Sequence, residues 1–389
     1  MNDITESIDA CANHYGEQAD AMRAFLLEGQ ARAVALPNRG PLTFTPSGEL
    51  AAEIRSAYSA YGFYIFENVL SQQELQDIKV DLESMRSQFP TGPGSPVDRA
   101  GRPALGANAK AMTLIWSKPL GDPLGGTDLA NGRHEVKMIE PEASVDAPPA
   151  APFILLGSLQ FSDACLRTYA HPALLQVAEC INGPDFAPFN EALFIKDPGI
   201  GAAVAWHQDG VTHWDSPKFD EDIHGFNFMA QVYGSTAVNG VWVLPGTHKL
   251  GKLDIKALVA ESGSERLIGA VPIICNPGDV VICNRQLVHG SFPNCGFEPR
   301  VTVNFGFHKR ASVLGVRGGG IHSESQVFDD EIIARRSRVL GYAIEARRQR
   351  FPDEAPYQYS LFMESRRKFA WDSAARSDIA DYNLDDLSI

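Results

Sequence analysis

The chain has 389 residues and a formal net charge of −14, from 34 Lys and Arg against 48 Asp and Glu. So acidic a composition argues against nucleic acid, whose phosphates select basic surfaces. A hydrophobic share of 44% and a charged share of 21% are those of a globular chain with a sizeable core, and no apolar run approaches the ~20 residues of a membrane span.

The six cysteines, Cys11, Cys165, Cys180, Cys275, Cys283 and Cys295, form no C-x-x-C pair. That removes zinc-ribbon and thioredoxin-type readings and leaves free thiols in a reducing compartment. The N-terminus shows no basic-then-apolar leader, so a cytoplasmic protein is expected.

Residues 1–45 read as a polar, helical N-terminal extension. Next come a helix in "SGELAAEIRSAYSAYG", a short strand in "FYIFENVL" and a second helix in "SQQELQDIKVDLESMRSQF". Ser71 is the expected N-cap of that helix, with Glu74 at the capping-box position. Residues 90–152 are rich in Gly and Pro and weakly periodic. A loop so long is uncommon in a compact domain unless it is functional or partly disordered, so it reads as a lid over a site or as a surface excursion. From 188 to 308 the chain turns to eight short β-runs: "NEALFIK", "AAVAWHQD", "GFNFMAQVYG", "GVWVLPG", "AVPIIC", "DVVICN", "QLVHGSF" and "RVTVNFGFH". This spacing predicts a sandwich or barrel rather than βαβ units. The domain therefore spans 46–310, with an insertion at about 90–152, and 311–389 is a C-terminal helical segment and tail. Its charged helix, 328–350, is expected at the surface or at a homodimer contact, and the last ~35 residues as a partly ordered tail.

The chemistry concentrates in "AVAWHQDGVTHWDS", residues 203–216, which holds two H-x-D patterns: His207 with Asp209, and His213 with Asp215. The first pair ends an apolar strand, where residues two apart share a face and Ala203 and Ala205 leave room beside them. The second pair falls in a loop, where that spacing guarantees nothing. A third ligand is available in His289, at the end of a later strand, and Arg300 follows eleven residues on. In "RVTVNFGF" the alternation puts Arg300, Thr302, Asn304 and Gly306 on one face and Val301, Val303, Phe305 and Phe307 on the other. If the apolar set packs outward, Arg300 faces the interior, where it needs an anion. Two His and one carboxylate leave coordination positions open, as in non-haem Fe(II) oxygenases. Zinc hydrolases use the same ligand types with one open position, so a zinc hydrolase or a non-redox metal-binding barrel is the rival.

The pattern of H-x-D, a distal His and an Arg resembles the Fe(II)/2-oxoglutarate-dependent dioxygenases, and within them the phytanoyl-CoA dioxygenase family. The stretches that carry the likeness are "YGFYIFENVLSQQEL", "KDPGIGAAVAWHQD", "NGVWVLPGTHKLG" and "GDVVICNRQLVHGSFPN", so it covers roughly 50–90 and 185–310. The resemblance implies a mainly β fold with flanking helices around a double-stranded β-helix (jelly-roll, cupin-like) core. It implies an enzyme that uses Fe(II), 2-oxoglutarate and O₂ on a small-molecule substrate. Carried over, His207, Asp209 and His289 would bind the metal. Arg300 and Ser291 would hold 2-oxoglutarate, with Thr302 a weaker candidate. Asn190, Trp206 and His213 are candidate contacts to substrate or co-substrate. Lys196 reads equally as a solvated flank, and His248 as a turn residue bonded to backbone. Hydroxylation of an unactivated C–H bond is the expected reaction, with desaturation, epoxidation and cyclisation open. Halogenation is disfavoured because Asp209 is a carboxylate where halogenases of this type carry a small residue.

Overall fold

The computed structural model describes residues 4–210, 225–318, 326–365 and 368–387. Its strands are β1 (Arg39–Pro41), β2 (Phe63–Glu67), β3 (Leu114–Ser117), β4 (Ala151–Leu156), β5 (Phe186–Lys196), β6 (Val204–His207), β7 (Phe226–Gln231), β8 (Trp242–Val243), β9 (Val271–Pro272), β10 (Val280–Asn284), β11 (His289–Ser291) and β12 (Arg300–Lys309). Each of the eight β-runs read from 188 to 308 contains one strand. The larger sheet has the order β1-β2-β10-β7-β12-β5-β4-β3 and the smaller one β6-β11-β8-β9. Sheet neighbours distant in sequence, joined mostly antiparallel, make this the double-stranded β-helix that the resemblance implies.

The helices are α1 (Ile4–Asn13), α2 (Ala19–Ala35), α3 (Ala52–Tyr61), α4 (Gln72–Ser87), α5 (Asp163–Tyr169), α6 (Pro172–Asn182), α7 (Ile255–Ser262), α8 (Arg310–Val313), α9 (Asp330–Arg350), α10 (Ser360–Ser365) and α11 (Ser373–Asp378). The expected capping box of α4 is present: the Ser71 side chain accepts from the Glu74 N–H, and Glu74 accepts in return from the Ser71 N–H at 2.8 Å. The outer face of the larger sheet forms the main core. There Val301, Val303, Phe305 and Phe307 of β12 join Phe226 and Phe228 of β7 and the apolar faces of α4, α6 and α9. The smaller sheet is covered by α1 and α2, whose Ile8, Met22 and Leu26 pack with Trp206, Trp242 and Phe292. The helix approaches closely at Gly29, where an added Cβ would lie 2.2 Å from the Trp242 ring.

The C-terminal segment departs from expectation. One side of α9 is committed within the chain. Arg336, 1% exposed, donates to Asp386 at 2.6 Å, and the Arg347 guanidinium donates to Glu74 at 2.7 Å. The expected tail is tied down too: Leu387 is fully buried and its N–H donates to the Phe189 carbonyl at 2.8 Å. Charge count misleads here because a buried arginine with a carboxylate partner reads like a surface one in sequence.

Candidate active site

A cavity is lined from both sheets. Ile154, Asn190, Phe194, Asn227, Met229, Arg300, Thr302 and Asn304 come from the larger sheet, and Val204, His207, His289, Gly290 and Ser291 from the smaller. The alternation along β12 is the one the sequence predicts, with the polar set facing the cavity and the apolar set facing the core.

His207 and His289 are direct register partners across the antiparallel β6–β11 pair. Their rings stand 4.1 Å apart between centroids. Each Nδ1 lies 2.8 Å from a carbonyl two residues before it, Ala205 for His207 and Leu287 for His289. A carbonyl can only accept, so both Nδ1 atoms carry the proton and both Nε2 lone pairs are free. Burial, helped by the neighbouring His207, pushes His289 down to about 3 and so keeps it neutral. Asp209 lies just past the end of β6, with its N–H donating to the Arg285 carbonyl at 2.8 Å. Its Oδ1 is 3.5 Å from His207 Nε2 and its Oδ2 is 3.9 Å from His289 Nε2. Burial alone would raise this carboxyl, but Arg133, His207 and Arg285 outweigh it and hold it well below the usual carboxylate range. Gln208 turns the other way and ties the neighbouring loops, donating to the Gly251 and Gln286 carbonyls at 3.0 and 2.6 Å.

Among the described residues, His207, Asp209 and His289 are the group able to hold a metal, with ligand atoms within 4.8 Å of one another. The donor set fits Fe(II): two neutral imidazole nitrogens and an ionised carboxylate whose Oδ1 has no hydrogen-bond partner among the described residues.

Arg300 is 3% exposed, and among the described residues no carboxylate lies within ion-pair distance. Burial pushes it down to about 10. Its Nε donates to Thr302 Oγ1 at 3.0 Å, and that hydroxyl donates onward to Gln231 Oε1 at 3.1 Å. Thr302 thus fixes the guanidinium. Lys196, the register partner of Arg300, is fully buried and so is no solvated flank. Its ammonium donates to Ser291 Oγ at 3.0 Å and to the Phe292 carbonyl. Burial and the nearby Arg300 charge hold it well below the ordinary lysine value.

Asn190 lines the cavity, its Oδ1 unpartnered among the described residues. Trp206 does not reach the cavity. It follows strand alternation away from His207, is fully buried against Phe292, and donates to the Glu265 carbonyl at 2.6 Å. Ala203 and Ala205 also belong to the core under α1 and α2 rather than to the metal face. The reason is an irregularity in the β6–β11 register, which pairs Ser291 with Val204 and brings Val204 to the cavity beside His207. His248 makes the expected backbone contact, with Nε2 3.1 Å from the Ser59 carbonyl. His213 and Asp215 lie outside the described residues.

Sequence reasoning missed Arg133 and His134. They come from the 90–152 segment and stand against the metal cluster, with Arg133 Nη2 3.3 Å from Asp209 Oδ1 and the His134 ring 4.2 Å from that of His207. No periodicity marks them, so only the weakly patterned insertion itself signals their presence.

Residues 58–302 match the family model described as Phytanoyl-CoA dioxygenase (PhyH), a span of more than half the chain. The chain belongs to the phytanoyl-CoA dioxygenase family. It is accordingly an enzyme, a non-haem Fe(II)- and 2-oxoglutarate-dependent dioxygenase. Among curated proteins it is similar to the peroxisomal phytanoyl-CoA dioxygenase of Rattus norvegicus, 22% identical over 279 residues, covering 66% of this chain and 68% of that protein. Among solved structures it is similar to EctD from S. alaskensis with 2-oxoglutarate and 5-hydroxyectoine, at 19% identity and a TM-score of 0.47, covering 70% of this chain and 80% of that one. It is also similar to the carbocyclase SnoK from nogalamycin biosynthesis, at 13% identity and a TM-score of 0.43, covering 72% and 88%. These likenesses are too distant to transfer a residue's role or a substrate. Among the described residues no helix is long and apolar enough to cross a membrane.

Proposed function

We propose that this family member hydroxylates an unactivated C–H bond of a small metabolite or natural-product intermediate, with His207, Asp209 and His289 as the iron ligands. The observation that carries this reading is the convergence of two bare Nε2 atoms and the Asp209 carboxylate beside a cavity that also holds Arg300 without an ion-pair partner among the described residues. Fe(II) with 2-oxoglutarate and O₂ supplies the oxidant for the C–H bond, and 2-oxoglutarate leaves as succinate and CO₂.

The protein's own contribution is position and exclusion of water. The backbone carbonyls of Ala205 and Leu287 lock both imidazoles in the ligating tautomer. Asn227 donates to Asp209 Oδ2 at 3.1 Å and steadies the carboxylate. Arg300, fixed by Thr302, offers its fork to the far carboxylate of 2-oxoglutarate. Lys196 donates to Ser291 Oγ, so the Ser291 proton is left to point to that same carboxylate. Anaerobic addition of Fe(II) and then 2-oxoglutarate tests the assignment. A visible charge-transfer band should grow with the ternary complex, and air with substrate should release succinate. A protein that binds zinc tightly and forms no such band would favour the hydrolase or non-redox alternative.

A further inference from the structure

Residues 129–134 form a strained turn against the metal cluster. Ala130 and Asn131 have φ of 51° and 59°, in the left-handed region, and Gly132 follows at 67°. Consecutive non-glycine residues hold this conformation only where the surroundings impose it. The Gly126 N–H donates to the His134 carbonyl at 2.7 Å and fastens the turn. The result is that Arg133 and His134 line the cavity while remaining 7% and 1% exposed. Among the described residues neither ring nitrogen of His134 has a hydrogen-bond partner, and Arg133 Nε has none. Buried polar atoms are as a rule satisfied, so these orphans in one wall mark a place where a polar ligand belongs, with Arg133 Nε and one His134 nitrogen as the donors.

Charge narrows the ligand. Arg133 and Arg300 line the cavity with Asp209, and the buried Arg285 stands 3.8 Å behind that carboxylate, so among the described residues the cations outnumber the anion even with Arg133 3.3 Å from Asp209. Fe(II) adds two positive charges and 2-oxoglutarate two negative, which cancel. A net charge left in a buried space is costly unless paired. An anionic ligand offsets that excess and a cation adds to it, and the planar fork of Arg133 matches a carboxylate. The wall also has an apolar stretch, Leu124, Ile154, Phe194, Met229 and Val241, beside the amides of Asn190, Asn227 and Asn304.

We propose that the substrate is a small organic acid whose carboxylate pairs with the Arg133 guanidinium and accepts from His134, its apolar body lying against the aliphatic and aromatic wall. This rests on the iron and 2-oxoglutarate reading above. The test is calorimetric and needs no turnover. The protein is loaded with Mn(II) and N-oxalylglycine, an unreactive analogue of 2-oxoglutarate. Hexanoate, octanoate, hydrocinnamate and cyclohexanecarboxylate are then titrated, each beside its primary amide. At least one acid should bind about tenfold or more tighter than its amide, a preference of the size one paired charge supplies. Arg133→Met, titrated at concentrations of Mn(II) and N-oxalylglycine that saturate it, should lose that preference. Amides that bind as well as their acids, a panel in which no acid binds, or an Arg133→Met protein that keeps the preference would each overturn the proposal. If Arg133→Met does not fold, the acid-against-amide comparison in the unaltered protein decides it. Failure of N-oxalylglycine to bind is a separate result, seen before any acid is added, and removes the co-substrate reading together with this one.

Discussion

Replacing Arg300 by Met should make the metal-free protein more stable while disabling co-substrate binding. Burial pushes the guanidinium about 2.5 units down from its ordinary value, to about 10. At 1.36 kcal/mol per pH unit, that fall is a cost of about 3 kcal/mol for holding the charge. The folded value lies below the unfolded one, so the folded state binds this proton less tightly. The cost is therefore complete below about pH 10 and fades only as pH rises towards the ordinary arginine value. At pH 7 the Met side chain removes it and forfeits the hydrogen bond to Thr302, worth about 1 kcal/mol. The net expectation is a gain of about 2 kcal/mol in the apo protein. Against 2-oxoglutarate the sign reverses, because truncating one partner of a buried, hydrogen-bonded charge pair costs about 2–5 kcal/mol, at least about thirtyfold in affinity. Urea unfolding of both proteins at pH 7, with and without Mn(II) and 2-oxoglutarate, reads both effects. The reasoning is refuted if apo Arg300→Met is less stable by 2 kcal/mol or more, or if 2-oxoglutarate stabilises the variant as much as the unaltered protein.

The His213→Ala protein should keep its full iron content by metal analysis; loss of iron would mean that the second H-x-D pair supplies a ligand. Burial pushes the Glu191 carboxyl up to about 7 even though Ser158 and Tyr382 donate to it. A raised acid contributes stability that is complete below its ordinary value near 4.5 and lost as pH rises to about 7, so unfolding free energy should fall by about 3 kcal/mol across that window. Glu191→Gln should flatten that slope, and an unchanged slope would assign it elsewhere. Removing one member of the Arg336–Asp386 pair, 1% and 0% exposed, strands a buried charge, so Asp386→Ala should cost about 3–5 kcal/mol by chemical denaturation. A loss below about 1 kcal/mol would mean that water reaches Arg336.

The legible parts of this protein are those with a period or a fixed chemical spacing. Alternation in β12 predicts which face carries Arg300, the capping box predicts the start of α4, and H-x-D with a later His predicts a cluster that the fold does bring together. What escapes is whatever depends on direction without periodicity. A register irregularity between β6 and β11, invisible in the letters, brings Val204 to the cavity and leaves Ala203 and Ala205 in the core. Trp206 follows simple alternation away from the metal, which could have been read in advance. Arg133 and His134 sit in a glycine- and proline-rich stretch where no pattern says which side chains turn inward. Arg336, Arg347 and Lys196 look like solvent-facing cations until their partners, distant in sequence, are known.

The pairing of His207 with His289 has a consequence for how the enzyme matures. The two imidazoles come together only when β6 zips against β11, two segments separated by most of the jelly roll. A ferrous ion there would act as a clasp between them, and its grip would be stability lent to the whole barrel. Iron uptake should therefore come late in folding, and metal retention should report whether the barrel has closed in register.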